Sequence, residues 1–280
     1  MSEKFFVDNL KILHHIEENH LFYVSRFSCG NEVDVIANRT KNPFLESNAG
    51  IRCTTSESLQ KYVDDCRKSY ASCTLICNWD SQFSLNCKTP GQAYLLKHVI
   101  PHHIPRCNAV ALSVHEYFDK NNWLQGLKGK SILIISPFVE TIKEQLLVQD
   151  KLFTGSQYDW FHDCTFSFVM PPVTLAGNHQ NKEWYEHFET FKDRVQLSQL
   201  ENDFEVALVS CGGYGIPICG FIYNELQRST IYMGGALQII FGIMGGRWEH
   251  NNKFINEHWK RPSEAERPPN FKSIEGGCYW

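Results

Sequence analysis

Apolar residues follow two patterns along this chain. Leu10–Glu18 and Ser58–Lys68 space them as one face of a helix does. Between such stretches lie short, almost continuously apolar runs: Ser131–Ser136, Thr165–Met170, Glu205–Ser210 and Ser229–Met233. Runs of that length bounded by turn residues predict strands buried on both faces. The first ends in Pro137-Phe138 and leads into a helix from Val139 to about Leu147. The second is stopped by Pro171-Pro172 and precedes a helix over Trp184–Leu197. The third passes through Cys211-Gly212-Gly213-Tyr214-Gly215 into a helix over Ile216–Leu226. The fourth passes through Gly234-Gly235 into a helix over Ala236–Phe241. Earlier, Leu21–Ser25 and Cys73–Cys77 read as strands, and a helix starts after Gly30.

Four strand–turn–helix units in succession predict an α/β protein with a Rossmann-like, mainly parallel open sheet flanked by helices, preceded by an irregular N-terminal portion. Three segments are expected: an N-terminal α/β portion over 1–110, carrying Arg26–Glu32 and packed into the same globule; a Rossmann-like portion over 111–260; and a tail over 261–280 packed on the domain.

Composition narrows the classes. The 280 residues are 42% hydrophobic and 21% charged, with a formal net charge of -4. That suits a folded globule, and no basic stripe suggests a nucleic-acid partner. Met1–Phe6 is followed by no long apolar run, so no signal peptide is expected. No segment approaches the roughly 18–20 apolar residues of a membrane helix. The 11 cysteines, an odd number, read as free thiols in a reducing, cytoplasmic compartment. Cys73, Cys77, His102 and His103 match no common zinc spacing. Asn38-Arg39-Thr40 is a glycosylation sequon, taken as accidental without a secretory signal.

Candidate chemistry gathers at the strand ends. Gly212, Gly213 and Gly215 remove side chains at a strand terminus, and Pro217 suits the first turn of the next helix. With Tyr214 among them, they offer a phosphate-bearing ligand a helix N-terminus. Close packing of helix on sheet explains the same glycines without a ligand. The spacing is neither the dinucleotide fingerprint nor a P-loop. Gly234 and Gly235 repeat the arrangement, with Gln238 placed to bond a base, ribose or sugar hydroxyl. Arg247 could hold a diphosphate and Trp248 stack on a ring; a salt bridge and a core indole account for the pair equally well. Ser136, at another strand end, is a candidate hydroxyl donor. Lys143 behind it is a weaker phosphate candidate. Arg26 and Glu32 frame the turn at Gly30, where Glu32 could be a general base, a cation ligand or a helix cap. Asp80 is a second carboxylate. His102-His103 and His162-Asp163 are more readily structural.

The segment Phe204–Glu249, with CGGYGIP, IYMGGALQIIFGI and GGRWE, resembles the GT-D-like glycosyltransferases of bacteria and large DNA viruses. SILIISPFVETIKEQ at 131–145 and EGGCYW at 275–280 are similar to the same group, with the chlorella-virus xylosyltransferases the best match. The resemblance implies a Rossmann-like sheet, a nucleoside-diphosphate sugar donor with UDP favoured, and a divalent cation, Mn or Mg. It further implies transfer of xylose to a hydroxyl of an oligosaccharide or glycoprotein acceptor, in capsid-glycan synthesis in an infected host cell. The wider class carries an early arginine, glycine, acid, glycine, glutamate pattern. Arg26, Gly30 and Glu32 match it; Asn31 stands at the acid position. The role of base or metal ligand therefore falls to Glu32, with Asp80 as helper and Arg26 beside them. Two rivals stay open: a nucleotide- or S-adenosylmethionine-dependent enzyme on a similar sheet, and a non-catalytic glycan- or nucleotide-binding protein. The oligomeric state is open, a dimer included.

Overall fold

A computed structural model describes residues 3–28, 30–79, 89–113, 121–153, 158–249 and 254–280. Asp80 falls outside the described residues with the rest of 80–88. The chain opens with helix α1 (Glu3–Glu18), strand β1 (Tyr23–Arg26), α2 (Gly30–Asn38), a short α3 (Pro43–Ser47), α4 (Ser56–Ala71) and β2 (Leu75–Asn78). It continues through α5 (Pro90–His98), β3 (Arg106–Asn108), β4 (Ser131–Ile135), α6 (Val139–Leu146) and β5 (Thr165–Val169). The last third carries α7 (Trp184–Asn202), β6 (Val206–Val209), α8 (Gly215–Asn224), β7 (Ser229–Tyr232) and α9 (Ala236–Ile239).

The described strands form one seven-stranded sheet in the order β3-β2-β1-β7-β6-β4-β5, and every pairing is parallel. Alternation along each strand sends its side chains to two separate cores. Val24, Ile132, Ile134, Val206, Leu208 and Ile231 join the core that also takes α1, α6 and α9. Tyr23, Leu133, Ile135, Ala207, Val209 and Tyr232 join the one that takes α2, α4, α7 and α8. Burial of both faces is why the strand sequences are continuously apolar rather than alternating. Strand β1 pairs with β7, with Tyr23 opposite Thr230 and Val24 opposite Ile231. Strands from either end of the chain thus share one sheet.

This topology opens a gap between loops at one end of the strands. The chain leaves β4 outward to β5 but leaves β6 inward to β7, so the loops beyond β4 and β6 diverge. A crevice at the carboxyl ends of the strands follows, as parallel sheets provide at such a reversal. The last helix is shorter than the apolar pattern over 236–241 suggests. It makes a single turn, Ala236–Ile239, because Gly242 adopts φ +63° and ends it. No helix among the described residues is long and apolar enough to cross a membrane.

Candidate active site

A cavity of about 380 Å³ occupies that crevice. Its floor is the end of β1, where Arg26 follows the buried Tyr23-Val24-Ser25, and the start of α2, where Glu32 lies in the first turn. Arg26 sits between two rings: its guanidinium carbon is 5.4 Å from the Trp79 centroid and 5.6 Å from that of Tyr232. Its Nε is buried with no hydrogen-bond acceptor, and no ion pair to Arg26 exists among the described residues. Gly234 makes this placement possible. A Cβ at 234 would lie 1.9 Å from Arg26 Nη2, and the residue adopts φ +57°.

Glu32 is 5% exposed. Burial pushes its carboxyl up to about 7, against smaller opposing pulls from the Tyr62 hydroxyl, Ser28 and Arg26. A carboxyl that titrates near neutrality inside a cavity has the property a general base needs. Tyr62 donates to Glu32 Oε1 at 3.0 Å.

The opposite wall comes from the far end of the chain. Ile274, Glu275, Tyr279 and Trp280 all line the cavity. Arg247 holds this segment: it pairs with the Glu275 carboxylate, donates to the Tyr279 hydroxyl at 3.2 Å, and lies 4.7 Å from the Tyr279 ring centroid. Asn48 donates to the other oxygen of Glu275 at 3.2 Å. Arg261 donates to the Trp280 carbonyl oxygen at 2.5 Å, and the Trp280 ring meets Phe138 edge-on at 6.0 Å. Glu275, Gly276 and Gly277 are all left-handed, at φ +48°, +69° and +77°. Glu275 is the strained one of the three, and its carboxylate contacts hold it there. Gly235 and Gly245 give the segment room, since added Cβ atoms would lie 2.8 Å from the Tyr279 ring and 2.5 Å from the Cys278 oxygen.

The residues singled out from sequence separate into three groups. Arg26, Glu32, Gly212, Tyr214, Gly234, Gly235, Gln238 and Arg247 line the cavity. Ser136, Gly213, Gly215 and Trp248 stand behind it. The Ser136 hydroxyl accepts from Phe138 N at 3.1 Å, and Trp248 packs on Arg247 and Tyr279. Gly213 and Gly215 have packing reasons: Cβ atoms there would meet Ile51 Cγ1 at 2.4 Å and the Tyr232 ring at 2.2 Å. The turn also uses its own N–H groups. Gly213 N donates to Ala49 O at 2.9 Å, Tyr214 N to Cys211 O at 3.3 Å, and Gly215 N to Gly212 O. Three N–H groups of the turn are thus committed within the protein, and the four-residue α9 offers only a short dipole beside them. Gly215→Ala is expected to destabilise the fold by about 1–3 kcal/mol through overpacking against Tyr232, read as a lower denaturant midpoint. Asp80 lies outside the described residues.

No family model matches the chain, and no curated protein matches it. Two solved structures are similar in the course of the chain. One is a selenomethionine-substituted structure of the domain of unknown function 1792, with 12% identity over 94% of this chain and 95% of that one, and a TM-score of 0.45. The other is the same domain, described as having a distinct glycosyltransferase fold, with 13% identity over 94% and 95% and a TM-score of 0.46. At such identity the likeness concerns the fold, and the chemistry rests on the residues themselves.

The described donor set, which leaves out Asp80, fits a divalent cation poorly. Among the described residues no three His, Cys, Asp or Glu side chains cluster as metal ligands. The cavity carboxylates are Glu32, which takes up a proton near neutrality and has Arg26 beside it, and Glu275, which Arg247 already holds. A hard cation prefers ionised, uncommitted oxygens.

Proposed function

We propose that this protein transfers a sugar from a nucleoside-diphosphate donor to an acceptor hydroxyl, with UDP-xylose as the preferred donor and a glycan of a viral capsid glycoprotein as the acceptor. The observation that carries the reading is the pairing of opposites in one crevice. An arginine in no ion pair among the described residues and a buried carboxyl near neutrality meet at the carboxyl ends of parallel strands. Arg26 supplies the positive charge that a departing diphosphate requires, with Arg247 across the cavity as a second cation. The rings of Trp79, Tyr232 and Tyr279 suit stacking against a base or sugar. The motif resemblance at 131–145, 204–249 and 275–280 narrows the reaction to glycosyl transfer.

In this reading the acceptor oxygen attacks the anomeric carbon as the bond from that carbon to the phosphate oxygen breaks. Glu32 takes the hydroxyl proton, and the nucleoside diphosphate leaves with the bonding electrons. A single displacement of this kind inverts the anomeric centre. A divalent cation, Mn²⁺ or Mg²⁺, would arrive bound to the donor's diphosphate.

Thermal unfolding with UDP, GDP and their sugars tests the reading. UDP at a hundred times its Kd should add about 2.7 kcal/mol, a shift of several degrees. UDP-xylose should protect at lower concentration than UDP-glucose, which carries one more CH₂OH group. Absence of a shift with every nucleotide and nucleotide-sugar, with and without Mn²⁺, would sink it.

A further inference from the structure

Tyr62 projects from the middle of α4, thirty positions from Glu32, and is fully buried. Its hydroxyl stands 3.0 Å from Glu32 Oε1 and 3.0 Å from the carbonyl oxygen of Gly213. One hydroxyl carries one proton and can donate fully to only one of them. Beside an ionised Glu32 the carboxylate is the stronger acceptor, and the Gly213 carbonyl loses most of its share. Beside a protonated Glu32 the chain reverses. The carboxyl donates to the Tyr62 oxygen, and Tyr62 donates to Gly213 O. The Gly213 N–H is meanwhile tied to Ala49 O at 2.9 Å, so both sides of this peptide turn are held by protein groups.

We propose that Tyr62 is a positioning residue for Glu32, orienting its carboxylate in the cavity and coupling its proton to the Gly212–Tyr214 turn. The proposal rests on the reading of Glu32 as the base. The other groups that face Glu32 are Arg26 at the end of β1, Ser28 beyond it, Cys66 and Tyr70 on α4, Cys211 after β6 and Tyr232 on β7. Burial raises the thiols and phenols among them well above their usual range, so they stay neutral wherever Glu32 titrates. Glu32 is thus the member of this cluster that changes charge near pH 7, and Tyr62 donates directly to its carboxylate.

Tyr62→Phe keeps the ring that meets Trp184 edge-on at 5.3 Å and removes only the hydroxyl. The readout is a carbon-13 titration of the glutamate carboxyls, with Glu32→Gln identifying the Glu32 signal. In Tyr62→Phe the Glu32 midpoint should rise by on the order of one pH unit, because a donor to the charged form is lost. The ascending limb of kcat/KM against pH with UDP-xylose should move the same way, while UDP protects variant and parent equally. A midpoint that stays put or falls overturns the proposal, whatever happens to the unfolding temperature. Should Tyr62→Phe fail to fold, carbon-13 labels on the tyrosine rings of the parent give the answer. The Tyr62 ring signal should titrate with the Glu32 midpoint and lose that step in Glu32→Gln; a Tyr62 signal indifferent to Glu32 overturns the coupling. The carboxyl titration needs no nucleotide, so a parent unprotected by UDP refutes the transferase reading without touching the Tyr62–Glu32 result.

Discussion

Glu32→Gln is expected to lower turnover by about 10²–10⁴-fold while making the protein more stable at and above pH 7. The two effects share one cause. The native state holds a proton on Glu32 up to about pH 7, whereas an unfolded chain releases it near the ordinary glutamate value of 4.5. Between those values the native state binds more protons than the unfolded one, so stability falls as pH rises. Below pH 4.5 both states are protonated and nothing is lost. Above pH 7 the whole penalty is present, on the order of 3 kcal/mol for a separation of about 2.5 units. Glutamine has the shape of the protonated acid and can still accept from Tyr62, so the variant should lack this slope. Denaturant unfolding of parent and variant at pH 4.5, 6 and 8 reads it directly. Midpoints that stay parallel across the series would show that Glu32 ionises freely, and would remove it as a base tuned by burial. UDP protection should survive in the variant, because the proton acceptor is not the charge that holds the diphosphate.

Gly234→Ala should abolish most nucleotide binding. Two separate effects act at this position. The first is backbone strain of about 1–2 kcal/mol for any side chain at φ +57°. The second is specific, since the new Cβ would fall 1.9 Å from Arg26 Nη2 and force the guanidinium from its place between Trp79 and Tyr232. Gly129→Ala separates them. Gly129 has φ +76° with nothing within 4 Å of an added Cβ, so it carries the strain alone. Both variants should unfold a few degrees early, and only Gly234→Ala should weaken UDP binding, by at least tenfold, in isothermal titration. Equal binding by the two would mean that the position of Arg26 does not matter to the nucleotide.

The sheet was legible because its strands advertise themselves. Ile132–Ile135 and Val206–Val209 are buried at every position, and such runs have few alternatives once turns and helices bracket them. Arg26, Glu32 and Gly234 were also legible as strand-end residues of the right chemical types. Their mutual placement was not. Gly234 makes room for Arg26 across the β1–β7 pairing, a relation between positions 208 apart that no local pattern encodes. Tyr62 is hidden for the same reason, as an aromatic on an amphipathic helix reads as core, and its hydroxyl is the informative part. The glycine turn at 212–215 was ambiguous in sequence. Its composition suits a phosphate cradle and a tight helix–sheet contact alike, and Ile51, Ala49 and Tyr232 decide for the contact at 213 and 215. The wall formed by Ile274–Trp280 had a signal in Gly235 and Gly245, whose missing side chains leave space for Tyr279 and Cys278 much further along the chain.

The pairing of β1 with β7 also governs when the site can exist. Phe22 N donates to Ser229 Oγ at 3.1 Å and Thr230 N to Phe22 O at 3.0 Å, across more than 200 residues of intervening chain. Closing so long a loop is entropically slow and comes late in folding. Until it closes, β1 presents an unpaired edge, and Arg26 lacks both Tyr232 and the gap at Gly234. On the ribosome, the first hundred residues emerge carrying Arg26 and Glu32 but not the partner strand, and the crevice is completed only after the wall at Ile274–Trp280 has been made.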